Sequence, residues 1–200
     1  MKPNIYNFFK FLNQKEQKPI PFKAKLLYAP ETLTPQELNV EGDLDLVNIP
    51  ITSLPEGLKV GGSLILYNCK NLNSLPENLN VEGYLDLSNC TKLTSLPKGL
   101  DVKGDIILYD CKNLKSLPKD LKVEGNLNLH KCTELASLPK GLNVGGNLNL
   151  YKCANLISLP EDLKVGRDLH LVNTLLAEKS DEDLHKMVEP NGYIKGKIYK

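Results

Sequence analysis

The chain has 200 residues, 41% hydrophobic and 24% charged, the proportions of one folded domain with short appendages. Lysine and arginine number 25 against 24 aspartates and glutamates, a net charge of +1 that speaks against a protein built around phosphate neutralisation. There is no run of apolar residues long enough for a membrane span. The opening Met1–Leu12 also lacks the continuous apolar core and small-residue cleavage site of a secretory signal, so a cytoplasmic protein is expected.

Residues 1–37 are expected to form an N-terminal cap. All four phenylalanines, Phe8, Phe9, Phe11 and Phe22, fall here beside Ile5, Tyr6 and Leu12, a cluster suited to a short helical or irregular cover over an apolar end. From Leu38 onward a period takes over. Cys69, Cys90, Cys111, Cys132 and Cys153 are each 21 residues apart. Ser-Leu-Pro triplets ending in Pro55, Pro76, Pro97, Pro118, Pro139 and Pro160 keep nearly the same beat, as do valines from Val40 to Val165. One unit, Leu58 to Asn78, has the outline LxVxGxLxLxxCxxLxSLPxx. The first unit is one residue shorter and carries Ile49-Pro50-Ile51 in place of Cys-x-x-Leu.

A period of this length fits a parallel solenoid. Leu58/Val60 and Leu64/Leu66 alternate with polar or small residues, the period-2 pattern of strand. Each coil is therefore expected to hold two short strands, with Gly42, Gly62, Gly83, Gly104, Gly125 and Gly146 at the bend between them, needing positive φ or close backbone approach. The Leu-Pro step forces an extended turn on the return side. About seven coils, residues 38–174, would stack into a rod of roughly 30 to 35 Å. The array is expected to stop near Arg167, which stands in the glycine column. Residues 175–200 then read as a C-terminal cap helix, with Ser180 as N-cap and Leu184, Met187 and Val188 as its apolar stripe, followed by a basic tail.

The LxLxxC core (Leu64, Leu66, Cys69 and equivalents) and the Ser-Leu-Pro triplets resemble leucine-rich repeat proteins of the short bacterial kind. The resemblance covers residues 38 to 174. It implies a mainly β, right-handed leucine-rich-repeat-like solenoid and places the cysteines at the family's Asn/Cys ladder. The Cys-x-x-Leu spacing is one residue longer than the common Asn-x-Leu. Together with the ending Gly192–Lys200, the outline is similar to leucine-rich repeat proteins of bacteriophages and some bacteria, which implies work on a host factor in the bacterial cytoplasm. Similar repeats occur in secreted ubiquitin-ligase effectors of bacterial pathogens, but fewer than 30 residues follow the last coil, too few for their catalytic domain.

The cysteines invite chemistry that their pattern does not support. Their number is odd, they occupy one inward column, and no CxxC pair offers a zinc site. A nucleophilic thiol would need a base from His130, His170 or His185, and none has a compelling spacing. Buried thiols in a reducing compartment are the expectation. Asn89-Cys90-Thr91 matches a glycosylation acceptor but falls on the same column. Asp43, Asp45, Asp86, Asp105 and Asp168 are scattered over different coils and read as a solvated face. Gly61-Gly62 and Gly145-Gly146 are bends, not phosphate loops. Neither a cofactor nor an enzymatic activity is expected.

Three outward columns vary from coil to coil. They are Asp43, Ser63, Tyr84, Asp105, Asn126, Asn147, Asp168; then Asp45, Ile65, Asp86, Ile107, Asn128, Asn149, His170; then Val47, Tyr67, Ser88, Tyr109, His130, Tyr151, Val172. Aromatic residues with adaptable polar neighbours suit a protein interface, although Tyr and Ile also simply suit strands. The expected partner-binding residues are Ile65, Tyr67, Tyr84, Ile107, Tyr109, Asn128, His130, Asn149 and Tyr151. Lys98, Lys119 and Lys140 form a ridge without interleaved aromatics, so nucleic acid is not the expected partner. A monomer that binds a protein, with a structural component of a virion or bacterial surface as the alternative, is the expectation.

Overall fold

The computed structural model describes residues 19–119 and 121–200. The expected cap residues Ile5, Tyr6, Phe8, Phe9, Phe11 and Leu12 lie outside them. The described chain opens with helix α1 (Phe22–Tyr28) and a 3-10 turn (Pro30–Thr32). Short strands follow in pairs: β1 (Asn39–Val40) and β2 (Leu44–Asp45), β3 (Lys59–Val60) and β4 (Leu64–Ile65), β5 (Asn80–Val81) and β6 (Leu85–Asp86), β7 (Asp101–Val102) and β8 (Ile106–Ile107). The series continues with β9 (Lys122–Val123) and β10 (Leu127–Asn128), β11 (Asn143–Val144) and β12 (Leu148–Asn149), β13 (Lys164–Val165) and β14 (Leu169–His170). A second 3-10 turn (Leu175–Glu178), helix α2 (Asp181–Val188) and strands β15 (Tyr193–Ile194) and β16 (Ile198–Tyr199) complete it.

The even-numbered strands form one eight-stranded parallel ladder in the order β2-β4-β6-β8-β10-β12-β14-β16. The odd-numbered strands form two four-stranded ladders, β1-β3-β5-β7 and β9-β11-β13-β15. Register follows the repeat: Leu85 pairs with Ile106 and Leu127 with Leu148. The Ser-Leu-Pro side carries a bridge between Ser95 and Ser116. The fold is thus a mainly β solenoid of parallel strands with a repeat of about 21 residues.

Inward columns fill the coil interior. Leu64, Leu66, Cys69 and Leu72 are fully buried, as are their equivalents in the following coils. α1 closes the start of the stack with Leu26 buried and Phe22 and Leu27 packed against the core. At the other end α2 buries Leu184 and Val188, and Ser180 Oγ accepts from the Asp183 N–H at 3.0 Å.

One local feature departs from the sequence expectation. The basic tail is not free, and the array does not end at Arg167. Tyr193 pairs with Lys164 and Ile198 with Leu169, so the tail adds a further rung to both sides. The offset is 29 residues because α2 is inserted, which takes this rung out of phase with the repeat. The glycine bend lies where expected and takes the close-approach option, while the left-handed turn falls in another column. Positive φ is found at Asn48, Asn68, Asn89, Asp110, Lys131, Lys152 and Asn173, the column just before the cysteines, with φ between 59° and 63°. Asn and Asp tolerate this left-handed conformation better than most residues, and Lys131 and Lys152 adopt it at a cost of order 1 kcal/mol each.

The column from Gly62 to Gly146 needs glycine for close approach instead. A Cβ on Gly104 would stand 2.9 Å from the carbonyl carbon of Gly83 and 3.0 Å from the Tyr84 nitrogen, whereas on Gly42, at the start of the stack, it would meet nothing within 4 Å. Gly104→Ala is therefore expected to lower stability by about 1–3 kcal/mol, and Gly42→Ala by less than about 0.5 kcal/mol. Urea unfolding followed by circular dichroism measures both, and equal effects would show that backbone crowding is not what the column requires.

Candidate functional site

The even-numbered ladder and the turns flanking it form the variable face. Its first column forms a seam of hydrogen bonds between coils. Asp43 Oδ1 accepts from the Ser63 N–H at 2.6 Å, and Ser63 Oγ from the Tyr84 N–H at 3.3 Å. Asp105 Oδ1 accepts from Asn126 N–H at 2.7 Å, Asn126 Oδ1 from Asn147 N–H at 2.7 Å, and Asn147 Oδ1 from Asp168 N–H at 2.9 Å. Asp168 Oδ1 receives the Lys197 N–H at 2.8 Å, tying the tail into the seam.

The second column closes turns. Asp45, Asp86, Asn128 and Asn149 each accept, through Oδ1, the N–H two residues on, at 2.8 to 3.0 Å. These are Asx turns, which Asp and Asn form equally well because both offer a short side-chain oxygen. The carboxylates of this face are exposed or half-buried, and Asp43, Asp45, Asp86, Asp105 and Asp168 each also bond a backbone N–H group. The recurrence of Asp or Asn at fixed offsets from a strand was the available signal.

The third column builds an aromatic band. The rings of Tyr109 and His130 meet edge-to-face with centroids 4.8 Å apart, and those of His130 and Tyr151 at 4.5 Å. Lys131 Nζ lies 5.2 Å from the Tyr109 ring centre and donates to its Oη at 3.0 Å, while Lys152 Nζ lies 5.1 Å from the Tyr151 ring centre. Burial holds the His130 imidazole below its ordinary pKa, helped by Lys131 and Lys152 and opposed by Asp110. His130 Nε2 and Asp110 Oδ1 are buried without a hydrogen-bond partner. One column over, His170 stacks on Tyr199 at 4.6 Å.

Beside this band lies a groove of about 260 Å³ whose lining includes Ile107, Asn128, Asn149, Asn126, Asn147 and His170. The structure thus brings Ile107, Asn128 and Asn149 together at the groove and Tyr109, His130 and Tyr151 next to it. Ile65, Tyr67 and Tyr84 belong to earlier coils and do not line it. Tyr67 and Tyr84 are 42% and 39% exposed, and Ser88, which is buried, interrupts the band between Tyr67 and Tyr109. Asn126, Asn147 and His170 are the site residues left out of the expected set; they look like seam or strand residues until the columns are placed side by side.

The five thiols face inward. Each donates to a carbonyl of an earlier coil, as Cys111 Sγ does to Leu87 O at 3.0 Å and Cys153 Sγ to Leu129 O at 3.1 Å. Burial pushes the Cys111 and Cys153 thiols up to about 12 and raises the other three as well. On the Leu-Pro side, Lys98 and Lys119 rim a second concavity of about 620 Å³ floored by Leu96, Leu117 and Pro118. Lys140 pairs with Glu161 at 3.3 Å, both well exposed. Among the described residues, no cluster of three or more His, Cys, Asp or Glu could hold a metal ion, and no helix is long and apolar enough to cross a membrane.

What these features define is a class of architecture, a parallel β-solenoid with one inward thiol column and one variable face. Comparison with protein-family models, curated proteins and solved structures found no match to the chain.

Proposed function

We propose that the chain is a non-enzymatic interaction module that binds a protein partner through the exposed strand face of the solenoid. The observation that carries this reading is the Tyr109–His130–Tyr151 band, held on a rigid parallel ladder beside the Asn-lined groove. Aromatic groups fixed in place lose little entropy on contact, which makes them strong anchors. The core columns scarcely change from coil to coil, while the face changes at nearly every coil, as expected where the interior serves packing and the surface serves recognition.

The LxLxxC and Ser-Leu-Pro pattern supports a finer version: a leucine-rich repeat protein of the short bacterial and bacteriophage type, acting as a monomer on a host protein in the bacterial cytoplasm. The inward thiols agree with a reducing compartment.

A pull-down from bacterial lysate with wild type and with the double variant Tyr109→Ala/Tyr151→Ala tests the reading. The variant is expected to keep its circular dichroism spectrum and lose the captured protein. Undiminished capture would place the binding surface elsewhere.

A further inference from the structure

The strand face keeps cations out. Through the seven coils its three outward columns carry Asp43, Asp45, Asp86, Asp105 and Asp168 and no lysine or arginine, in a chain that has 25 of those residues. Lys197, on the tail rung beyond Asp168, is the first cation to join them. None of the five aspartates forms an ion pair among the described residues. Their hydrogen bonds come from neutral N–H groups, which leave the negative charge uncompensated.

The lysines that flank the face are engaged elsewhere. Lys103 pairs with Asp101 at 3.0 Å and with Glu124 at 3.7 Å, and Lys112 with Asp110 at 3.6 Å. Lys131 and Lys152 lie on the rings of Tyr109 and Tyr151.

All of these aspartates except Asp168 belong to the first four coils, and apolar groups stand among them. The second column there reads Asp45, Ile65, Asp86, Ile107 on consecutive rungs. Its two acids are about 9.6 Å apart with an aliphatic side chain between them, and the whole strip is about 14 Å long. Asp45 is exposed, and Ile65, Asp86 and Ile107 are half-buried. Tyr67 and Tyr84 flank the strip as exposed rings. At its far end the strip runs into the groove, whose lining holds Asp105 and Ile107 and no lysine or arginine.

Carboxylates for the charged head, aliphatic surface for the methylene stem and nearby tyrosine rings are what a lysine or arginine side chain needs from a partner surface. An acidic segment would meet like charge along the strip, and a neutral one would strip water from the aspartates without replacing it.

Resting on the protein-binding reading above, we propose that the strip over β2, β4, β6 and β8, as far as the groove, receives a basic, extended segment of a partner protein. Its charged heads meet Asp45, Asp86 and Asp105, and their stems lie on Ile65 and Ile107. Where the segment enters the groove, Asn128 and Asn149 donate through Nδ2 to its main-chain carbonyls, since the oxygens of both amides already accept backbone N–H groups.

The probe is a fluorescein-labelled oligolysine peptide, read by fluorescence anisotropy, with oligoglutamine and oligoglutamate as comparisons. Oligolysine is expected to bind best and to weaken as salt is raised. Asp45→Asn/Asp86→Asn keeps the turn-closing oxygens, since Asn128 and Asn149 already play that part in the same column, and removes two charges. It is expected to weaken oligolysine binding by about tenfold or more. Glu56→Gln/Glu77→Gln removes the same charge from exposed positions on the Leu-Pro side and is expected to leave binding unchanged. Absence of oligolysine binding, or equal binding of either comparison peptide, would overturn the proposal. So would an effect of Asp45→Asn/Asp86→Asn no larger than that of Glu56→Gln/Glu77→Gln. If oligolysine fails to bind while Tyr109→Ala/Tyr151→Ala still loses its captured protein, the interaction-module reading survives.

Discussion

Cys111→Asp is expected to unfold the solenoid at room temperature. Cys111 is fully buried, with its S–H directed at Leu87 O at 3.0 Å. A carboxylate at that position has no proton to donate and would set negative charge against a carbonyl oxygen. Burying an unpaired charge costs several kcal/mol even after relaxation, a large share of the roughly 5–15 kcal/mol that holds a typical domain together. The damage spreads because each coil is stable only against its neighbours. Cys111→Ser keeps a donor for Leu87 O and is expected to cost about 1–3 kcal/mol. Thermal and urea unfolding separate the two, and an unchanged melting temperature for Cys111→Asp would show that the thiol column faces water.

Steep unfolding in alkali is the second expected result. In the folded chain Cys111 and Cys153 are pushed up to about 12 from an ordinary thiol value of 9.0, and Cys69, Cys90 and Cys132 are raised too. Below about pH 9 native and unfolded chains both keep these protons, and the stability of the buried thiols is fully present. Between the ordinary value and the raised one, the unfolded chain gives up protons that the native chain retains, so stability falls as pH rises. One such group costs about 1.4 kcal/mol per pH unit, and several acting together multiply that slope. The fold should therefore be lost over a narrow interval above pH 9. Far-ultraviolet dichroism against pH, with iodoacetamide trapping, checks this. Alkylation is expected to track unfolding, and a single Cys→Ala replacement is expected to flatten the slope. Alkylation running ahead of the loss of β signal would refute it.

The register of the ladder was legible because cysteines at a constant interval must stack when the chain winds in coils of that length. The groove was legible only in part. Ile107, Asn128 and Asn149 stand in one readable column, but their oxygens' engagement with backbone N–H groups depends on turn geometry that no single coil reveals. The bend was legible at the glycine column, but which of its two expected reasons applied was not. Glycine suggests positive φ, yet here it answers the pressure of the coil before it, while Asn68, Asp110 and Lys131 carry the left-handed turn. Lysine in that conformation leaves no compositional trace. Tyr193–Tyr199 escaped notice because its leucine positions are filled by isoleucine, and because α2 displaces it from the period.

The seam of Asp105, Asn126, Asn147 and Asp168 has an arithmetic consequence. From Asp105 onward each coil passes one acceptor forward, so a whole coil there can be gained or lost with every joint restored, whereas a fractional insertion would break the joint at which it falls. The molecule is graduated like a ruler in divisions of about 4.8 Å. Lengthening it moves its two capped ends apart by fixed increments without altering either.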